Sequence, residues 1–144
     1  MHNDPFEILR EAKTIAVVGA SPHHWRPSFD ISRYLQQVGY RMIPVNPHHD
    51  TILGETCYPS LMDVPLALKI DVVNIFRRSI FTAEVVMDVL ERIEKTNEKP
   101  VIWTQIGVSS RESKQLAESH GLVYIEEACI KVVHTIGANQ PSRL

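Results

Sequence analysis

Thr14-Ile15-Ala16-Val17-Val18-Gly19 is the stretch of sequence that decides the fold. Its apolar run is short and ends in a glycine, a pattern typical of a buried strand that leads into a turn. An amphipathic helix is predicted to follow from about Ser28 to Val38, because apolar residues recur there at intervals of three and four, and Gly39 ends it. A strand, a glycine turn and a helix in this order open a βαβ unit.

Further apolar runs repeat this alternation of strand and helix along the chain. They lie at residues 41–45, 71–76, 100–104 and 122–125. Between them we predict a short helix near 60–64, a helix with an apolar stripe over 85–93, and a helix that begins with a capping box of Ser109 and Glu112. One run contains Pro44, which cannot donate a hydrogen bond to a neighbouring strand. The pattern indicates an α/β fold: a doubly wound, Rossmann-like five-stranded parallel sheet with helices on both faces.

The size and composition fit a single domain over residues 1–144. Hydrophobic residues make up 44%, charged residues 22%, and the formal net charge is −2, so we expect no basic surface for nucleic acid. Cys57 and Cys129 do not have the spacing of a disulfide-rich secreted protein. The first residues lack a signal-peptide pattern, and no apolar run approaches the roughly 20 residues that cross a bilayer. We therefore expect a cytoplasmic protein without a membrane partner.

In a doubly wound sheet the ligand binds at the carboxyl ends of the strands, so the loops that follow the strands form the candidate site. The binding residues predicted in the first two loops are Gly19, Ala20, Ser21, Arg26, Ser28, Asn46, Pro47, His48 and His49. Gly19 allows close approach to the backbone, and the helix N-terminus near Ser28 suits a phosphate group. The alternative is an ordinary strand-to-helix turn with Ser28 as the cap.

The loops after the third and fourth strands add Phe76, Arg77, Arg78, Gln105 and Gly107 to the predicted binding residues. Guanidinium groups match the geometry of phosphate. The alternative is a surface pair of arginines at the start of a helix, where cations are disfavoured. Gln105 is a candidate hydrogen-bond partner for a ribose or a base, and Gly107 permits close approach or serves only as a turn residue.

Other site chemistries lack their residue patterns. The dinucleotide pattern G-x-G-x-x-G is reduced to Gly19, and the first acidic residue after the second strand is Asp50. The pairs His23-His24 and His48-His49 are expected to converge at one edge of the sheet, but no Cys or carboxylate joins them at a ligand-like spacing, so we predict no metal. A G-x-S-x-G elbow and paired catalytic carboxylates are also missing. Cys129 is either a small buried residue or a thiol that faces the site.

Six short motifs occur in register along residues 10–135. They are Val17-Val18-Gly19-Ala20-Ser21, Pro44-Val45-Asn46-Pro47, Gly54-x-x-Cys57-Tyr58-x-Ser60-Leu61, Asp71-Val72-Val73-Asn74-Ile75-Phe76-Arg77-Arg78, Trp103-x-Gln105-x-Gly107-Val108 and Cys129-Ile130. This set resembles the single-domain CoA-binding protein family and, more distantly, the N-terminal domain of the succinyl-CoA synthetase α subunit.

The resemblance implies a Rossmann-like fold with strand order 3-2-1-4-5 and coenzyme A as the ligand. It places the nucleotide end of the ligand over Gly19, Ala20 and Ser21. Where the synthetase domain has a lysine that contacts CoA, this sequence has His48-His49, and where that domain has a glutamate, this sequence has Gln105.

The function expected is a stand-alone binding module for coenzyme A or an acyl-CoA, without catalysis of its own and with a sensing or regulatory role. Two alternatives stay open. One is an NAD(P)-dependent enzyme or subunit, and the other is a thiol-redox protein in which Cys57 or Cys129 forms a mixed disulfide with CoA. A homodimer or a protein partner is compatible with the sequence.

Overall fold

The computed structural model of the chain describes residues 3–140. The helices of this part of the chain are α1 (Pro5–Glu11), α2 (Pro27–Gln37), α3 (Thr82–Thr96), α4 (Arg111–Ser119) and α5 (Ile130–Ala138). The strands are β1 (Thr14–Val18), β2 (Arg41–Val45), β3 (Thr51–Ile52), β4 (Glu55–Thr56), β5 (Val72–Ile75), β6 (Val101–Thr104) and β7 (Tyr124–Ile125). Single 3-10 turns lie at Leu61–Asp63, inside the segment predicted as a short helix, and at Ser79–Phe81.

The main sheet has the order β2-β1-β5-β6-β7, and all of its neighbouring strands are parallel. This confirms the predicted five-stranded parallel sheet of an α/β fold. The strands β3 and β4 form a separate antiparallel hairpin that follows β2. None of the helices within residues 3–140 is both long and apolar enough to span a membrane.

The predicted strand order 3-2-1-4-5 is wrong. The third predicted strand, observed as β5, pairs with β1 on the side away from β2, which gives 2-1-3-4-5. Pro44 explains the difference. Its carbonyl oxygen points outward from the sheet and accepts a hydrogen bond from the Tyr58 N–H at 3.1 Å, so its nitrogen, which carries no hydrogen, faces outward too. A strand that lacks this donor fits the edge of the sheet, and the chain returns past β1 to add β5.

Helices cover both faces of the sheet, as the sequence predicts. One face packs on α1, α2 and α5 around residues such as Ile15, Val17 and Trp103. The other packs on α3 and α4 around Ile75 and Ile102. Helix α5 is an addition, since only a short terminal segment is predicted after the fifth strand. Its first residue, Ile130, is fully buried.

The start of α4 differs by one residue from the prediction. The capping box consists of Ser110 and Ser113, not of Ser109 and Glu112. The Tyr124 hydroxyl on the neighbouring strand holds the Ser113 Oγ at 2.7 Å and the Ser109 Oγ at 2.9 Å. This tertiary contact selects Ser113 as the residue that turns inward.

A buried arginine attaches the long connection between β2 and β5 to α3. Arg92 donates hydrogen bonds to four backbone carbonyl oxygens of residues 61–68 and to the Glu98 carboxylate, at distances from 2.6 to 3.3 Å. The side chains of Arg92 and Glu98 are 3% and 5% exposed, so the pair is excluded from water. The connection is thereby held at the edge of the sheet, next to the loop that follows β2.

Candidate functional site

The loops after β1, β2, β5 and β6 enclose an open cleft of about 810 Å³ at the carboxyl edge of the sheet, called the main cleft below. Eleven of the fourteen predicted binding residues line it: Gly19, Ser21, Arg26, Ser28, Asn46, His48, His49, Phe76, Arg77, Arg78 and Gln105. The other three are Ala20, Pro47 and Gly107. The position agrees with the rule that ligands of doubly wound sheets bind beyond the ends of the strands.

Gly19 forms the floor of the main cleft and cannot carry a side chain. Its φ is +91°, and a Cβ atom at this position would lie 2.3 Å from the carbonyl oxygen of Phe76. The Gly19 N–H donates to the carbonyl oxygen of Val45 at 2.9 Å, and the Phe76 N–H donates to that of Val18 at 2.8 Å. Three loops are therefore joined backbone to backbone at one point.

Asn46 ties the first loop to the second. Its Nδ2 donates to the carbonyl oxygen of Ala20 at 2.8 Å, and its Oδ1 accepts from the His48 N–H at 2.8 Å. Ala20 is fully buried, so its side chain does not line the cleft, and its carbonyl oxygen serves only to join the two loops. Gly107 lies outside the main cleft, where its N–H donates to the Glu127 carboxylate.

Among residues 3–140, the lining of the main cleft contains Arg26, Arg77 and Arg78 and no acidic side chain. Arg26 precedes α2, and Ser28, 4% exposed, lies in the first turn of that helix. The N-terminus of α2 therefore faces the cleft with the partial positive charge of its free N–H groups. The Arg77 guanidinium lies 4.6 Å from the centre of the Phe81 ring, which holds it at the rim. The electrostatics favour an anionic ligand.

The histidines of the first two loops meet only in part. The rings of His23 and His49 lie edge to face at 5.8 Å, and His23 stacks on Trp25 at 4.6 Å. His24 turns away and stacks on Phe29. Within residues 3–140 no group of three or more His, Cys, Asp or Glu side chains comes together as metal ligands.

Gln105 is buried at the base of the main cleft with an orientation set by its neighbours. Its Oε1 accepts hydrogen bonds from the Ile130 N–H at 2.9 Å and from the Asn74 Nδ2 at 3.2 Å. Because a backbone N–H donates to this atom, it must be the oxygen of the amide. The Nε2 has no hydrogen-bond partner in the described part of the chain, which leaves its N–H groups for a ligand.

The two cysteines have different environments. Cys57 is buried, and its Sγ lies 3.5 Å from the carbonyl oxygen of Asn46. Burial raises the pKa of the Cys57 thiol, which disfavours the reactive thiolate. Cys129 lines the main cleft immediately before α5. Of the two thiols, only that of Cys129 borders the space that a ligand would occupy.

Sequence reasoning missed the apolar wall of the main cleft. Ile31 and Val108 line it, as does Ile106, whose side chain is 68% exposed. Ile31 belongs to the apolar stripe of α2. Periodicity predicts that it is buried but does not identify the surface that it contacts. Ile106 follows Gln105 directly. In the sequence it is an isolated apolar residue in a loop, which by itself does not predict a binding surface. The cleft thus offers both charged and apolar surface.

A smaller cavity, called the side chamber below, opens beside the main cleft and has a volume of about 360 Å³. The two share Gly19, Asn46, His48, Phe76, Arg77 and Arg78. Pro47, the remaining predicted residue, lines the side chamber only. The two cavities are therefore neighbours, and these six residues border both of them.

A family model described as a CoA binding domain matches residues 13–135. The chain belongs to the CoA-binding domain family. The match begins just before β1 and ends within α5, so the family region includes the whole main sheet and both parts of the site. The resemblance seen in the six motifs is confirmed.

Related proteins extend this family assignment. The uncharacterized protein YneT of Bacillus subtilis is 40% identical over 130 residues, which are 90% of this chain and 91% of YneT. A hypothetical protein from Pyrococcus horikoshii OT3 has the same fold with a TM-score of 0.85 and 36% identity, over 96% of this chain and 94% of that chain. The acetate–CoA ligase (ADP-forming) II of Archaeoglobus fulgidus is 29% identical over 121 residues, 76% of this chain. The match spans only 17% of that ligase.

Proposed function

We propose that this CoA-binding domain binds coenzyme A or an acyl-CoA in the main cleft, and that its role is binding rather than catalysis. The observation that carries the proposal is the lining of the cleft. Arg26, Arg77 and Arg78 line it together with Gly19, and no acidic side chain lines the cleft within the described residues. The pyrophosphate and 3′-phosphate of CoA are anions of the kind that guanidinium groups and a helix N-terminus bind.

The size and mixed surface of the main cleft also support a CoA-sized ligand. Its volume of about 810 Å³ lies in the upper range of small-molecule sites. The pantetheine arm of CoA is largely apolar with two amide groups. Ile31, Ile106 and Val108 provide apolar contact for such an arm, and the free Nε2 of Gln105 is a donor for one of its carbonyl oxygens.

Catalysis is not part of the proposal, because the cleft lacks a paired nucleophile and base. In the described part of the chain, neither Cys129 nor any serine of the main cleft donates a hydrogen bond to a histidine or a carboxylate, which is the pairing that activates a nucleophile. A binding domain of this kind senses the ligand or presents it to another protein.

Native mass spectrometry of the freshly purified protein tests the proposal. We expect an added mass equal to CoA or an acyl-CoA, or such a complex after CoA is supplied, and its loss on denaturation. Titration calorimetry with CoA then gives the affinity. A protein that shows neither a copurified ligand nor binding of added CoA contradicts the proposal, and titration with NADH then tests the NAD(P) alternative.

The position of Cys129 favours a second candidate function, a mixed disulfide with CoA. In this exchange the Cys129 thiolate attacks a sulfur of CoA disulfide, a new S–S bond forms, and one CoA leaves as its thiolate. Intact mass after incubation with CoA disulfide should show one CoA adduct that reductant removes. The adduct should be absent in Cys129→Ser and present in Cys57→Ser, and a reversed pattern would exclude the cleft as the site of exchange.

A further inference from the structure

The side chamber lies between the end of β2, the 3-10 turn at Leu61–Asp63 and the first half of α3. Part of its wall is apolar: Val45, Pro47, Pro59, Leu61, Phe81 and Val85. The chamber is smaller than the main cleft, with less than half its volume. A flat, rigid ring system suits such a space better than an extended flexible arm, since it fills the chamber without loss of rotational freedom.

One carboxyl group, Asp88, lines the side chamber. It is half-buried and forms no hydrogen bond or ion pair within residues 3–140. Burial raises the pKa of Asp88. The negative charges of Glu91 and Glu84 raise this pKa further, and the positive charge of Arg77 lowers it. A partly buried acceptor without a partner is costly, so a ligand that donates a hydrogen bond at this point would be stabilised.

We propose that the side chamber is the nucleobase site and that Asp88 reads the base by accepting a hydrogen bond from its exocyclic amino group. The inference rests on the proposed function, for which the base is the adenine of CoA. Adenine combines the two features that the chamber demands, a flat apolar face and an amino donor at one edge. The Asp88 carboxylate repels a base that presents a carbonyl oxygen there.

This placement gives the ligand a direction through the site. The residues shared by the two cavities, among them Gly19, His48, Arg77 and Arg78, border both. In this placement they hold the phosphate groups. The pantetheine arm then enters the main cleft, past Gln105, with its thiol end on the side of Cys129. Within the described residues, the same direction accounts for the absence of acidic side chains from the main cleft and for the presence of Asp88 in the chamber.

The experiment compares CoA with 1,N6-etheno-CoA, in which the amino group of adenine is built into a third ring and donates no hydrogen bond. Binding of both ligands is measured by titration calorimetry with the wild type, Asp88→Ala, Asp88→Asn and Glu94→Ala. Glu94 is an exposed acid on the same helix that lines neither cavity, so it controls for the loss of a charge on α3. Circular dichroism confirms that each variant is folded.

We expect the wild type and Glu94→Ala to bind CoA about ten- to hundredfold more tightly than the etheno analogue, the usual effect of one hydrogen bond to a charged group. Asp88→Ala should bind both ligands equally. Asp88→Asn keeps an acceptor oxygen and the volume of the side chain, so it should retain part of the preference.

Equal affinity of the wild type for both ligands, or a full preference in Asp88→Ala, overturns the base site and leaves the proposed function intact. If the wild type binds neither ligand, the proposed function fails, and the base site fails with it. The two failures are thereby distinguished.

Discussion

Gly19 and Phe76 are in backbone contact across the neighbouring strands β1 and β5. A Cβ atom on Gly19 would lie 2.3 Å from the Phe76 carbonyl oxygen and 2.9 Å from its carbonyl carbon. The obstacle is main chain rather than a flexible side chain, so it cannot move aside without a shift of β5. The first loop of the site and the arginine pair that follows Phe76 therefore have a fixed relative position.

Gly19→Ala should destabilise the fold and weaken ligand binding together. The positive φ alone costs about 1–2 kcal/mol for a residue with a Cβ, and the clash adds to it. Gly121→Ala is the matched control, because Gly121 also has a positive φ of +76°, but a Cβ atom there would meet no neighbouring segment within 4 Å. Thermal unfolding should show a larger loss for Gly19→Ala; equal losses would mean that the contact with Phe76 has no energetic weight.

Arg77→Ala and Arg78→Ala should each lower the affinity for CoA by about ten- to hundredfold, since a charge-assisted hydrogen bond to phosphate is worth about 1.5–3 kcal/mol. The dependence of the affinity on salt should also become shallower. Arg41→Ala serves as the control, because Arg41 is exposed at the first position of β2, the end of the strand opposite the site. Calorimetry at two salt concentrations measures both effects. Unchanged affinity in both cleft variants would remove their role in binding.

Gln105→Met should cost about 1–3 kcal/mol of stability, because the buried N–H of Ile130 and the Nδ2 of Asn74 lose their common acceptor. Gln105→Glu separates fold from binding. It keeps an acceptor oxygen for both donors but replaces the free N–H donors of the cleft with negative charge. We expect Gln105→Glu to lower the free energy of unfolding less than Gln105→Met does in chemical unfolding, and to reduce the affinity for CoA. If both variants unfold alike, the two hydrogen bonds to Gln105 do not contribute to the stability of the fold.

Arg92→Met should destabilise the fold by about 3–5 kcal/mol, because the buried Glu98 loses its ion-pair partner and four carbonyl oxygens lose a donor. Chemical unfolding measures the change. The double variant Arg92→Met with Glu98→Gln should recover part of the loss, since no unpaired charge is then buried. A double variant no more stable than the single one would show that the carbonyl contacts, and not the ion pair, carry the effect.

His134 should make stability depend on pH below neutrality. Burial lowers the pKa of His134 from its ordinary value of 6.5, and its Nδ1 lies 2.6 Å from the Tyr34 hydroxyl, with Tyr40 against the ring. The unfolded chain therefore binds more protons than the folded one just below pH 6.5, so stability is present above that pH and is lost as pH falls toward the lowered pKa. His134→Gln should flatten this part of the profile in unfolding experiments. An unchanged slope would assign it to other groups.

Local pattern was sufficient for most elements and for most of the site. The apolar runs placed all five strands of the sheet, and the rule on strand ends placed eleven predicted residues around one cleft. Side-chain periodicity and turn residues act over a few positions, so one segment at a time reveals them. Gly19 is the clearest case, since a glycine at the end of a buried strand predicts a close approach.

Contacts between distant segments decided the features that the sequence did not reveal. The capping box of α4 moved by one residue because Tyr124, eleven positions after Ser113, holds that serine. The sequence does not single out Asp88, because an acid on an amphipathic helix is usually solvated. Only the approach of β2 and the 3-10 turn makes it part of a cavity.

The sequence by itself determined the α/β class, the buried strands and helices, and the loops that meet at the site, because these follow from hydrophobic periodicity and from the backbone freedom of glycine. Tertiary structure alone decided that β5 pairs with β1, that Cys129 borders the cleft while Cys57 is buried, and that Asp88 lines the side chamber. The physical reason is that strand partners and cavity walls are chosen by competition among many non-local contacts. Pro44 disfavours a further strand on the outer side of β2, because its nitrogen has no hydrogen to donate there. Its position at the edge is evident only from the contact of its carbonyl oxygen with Tyr58.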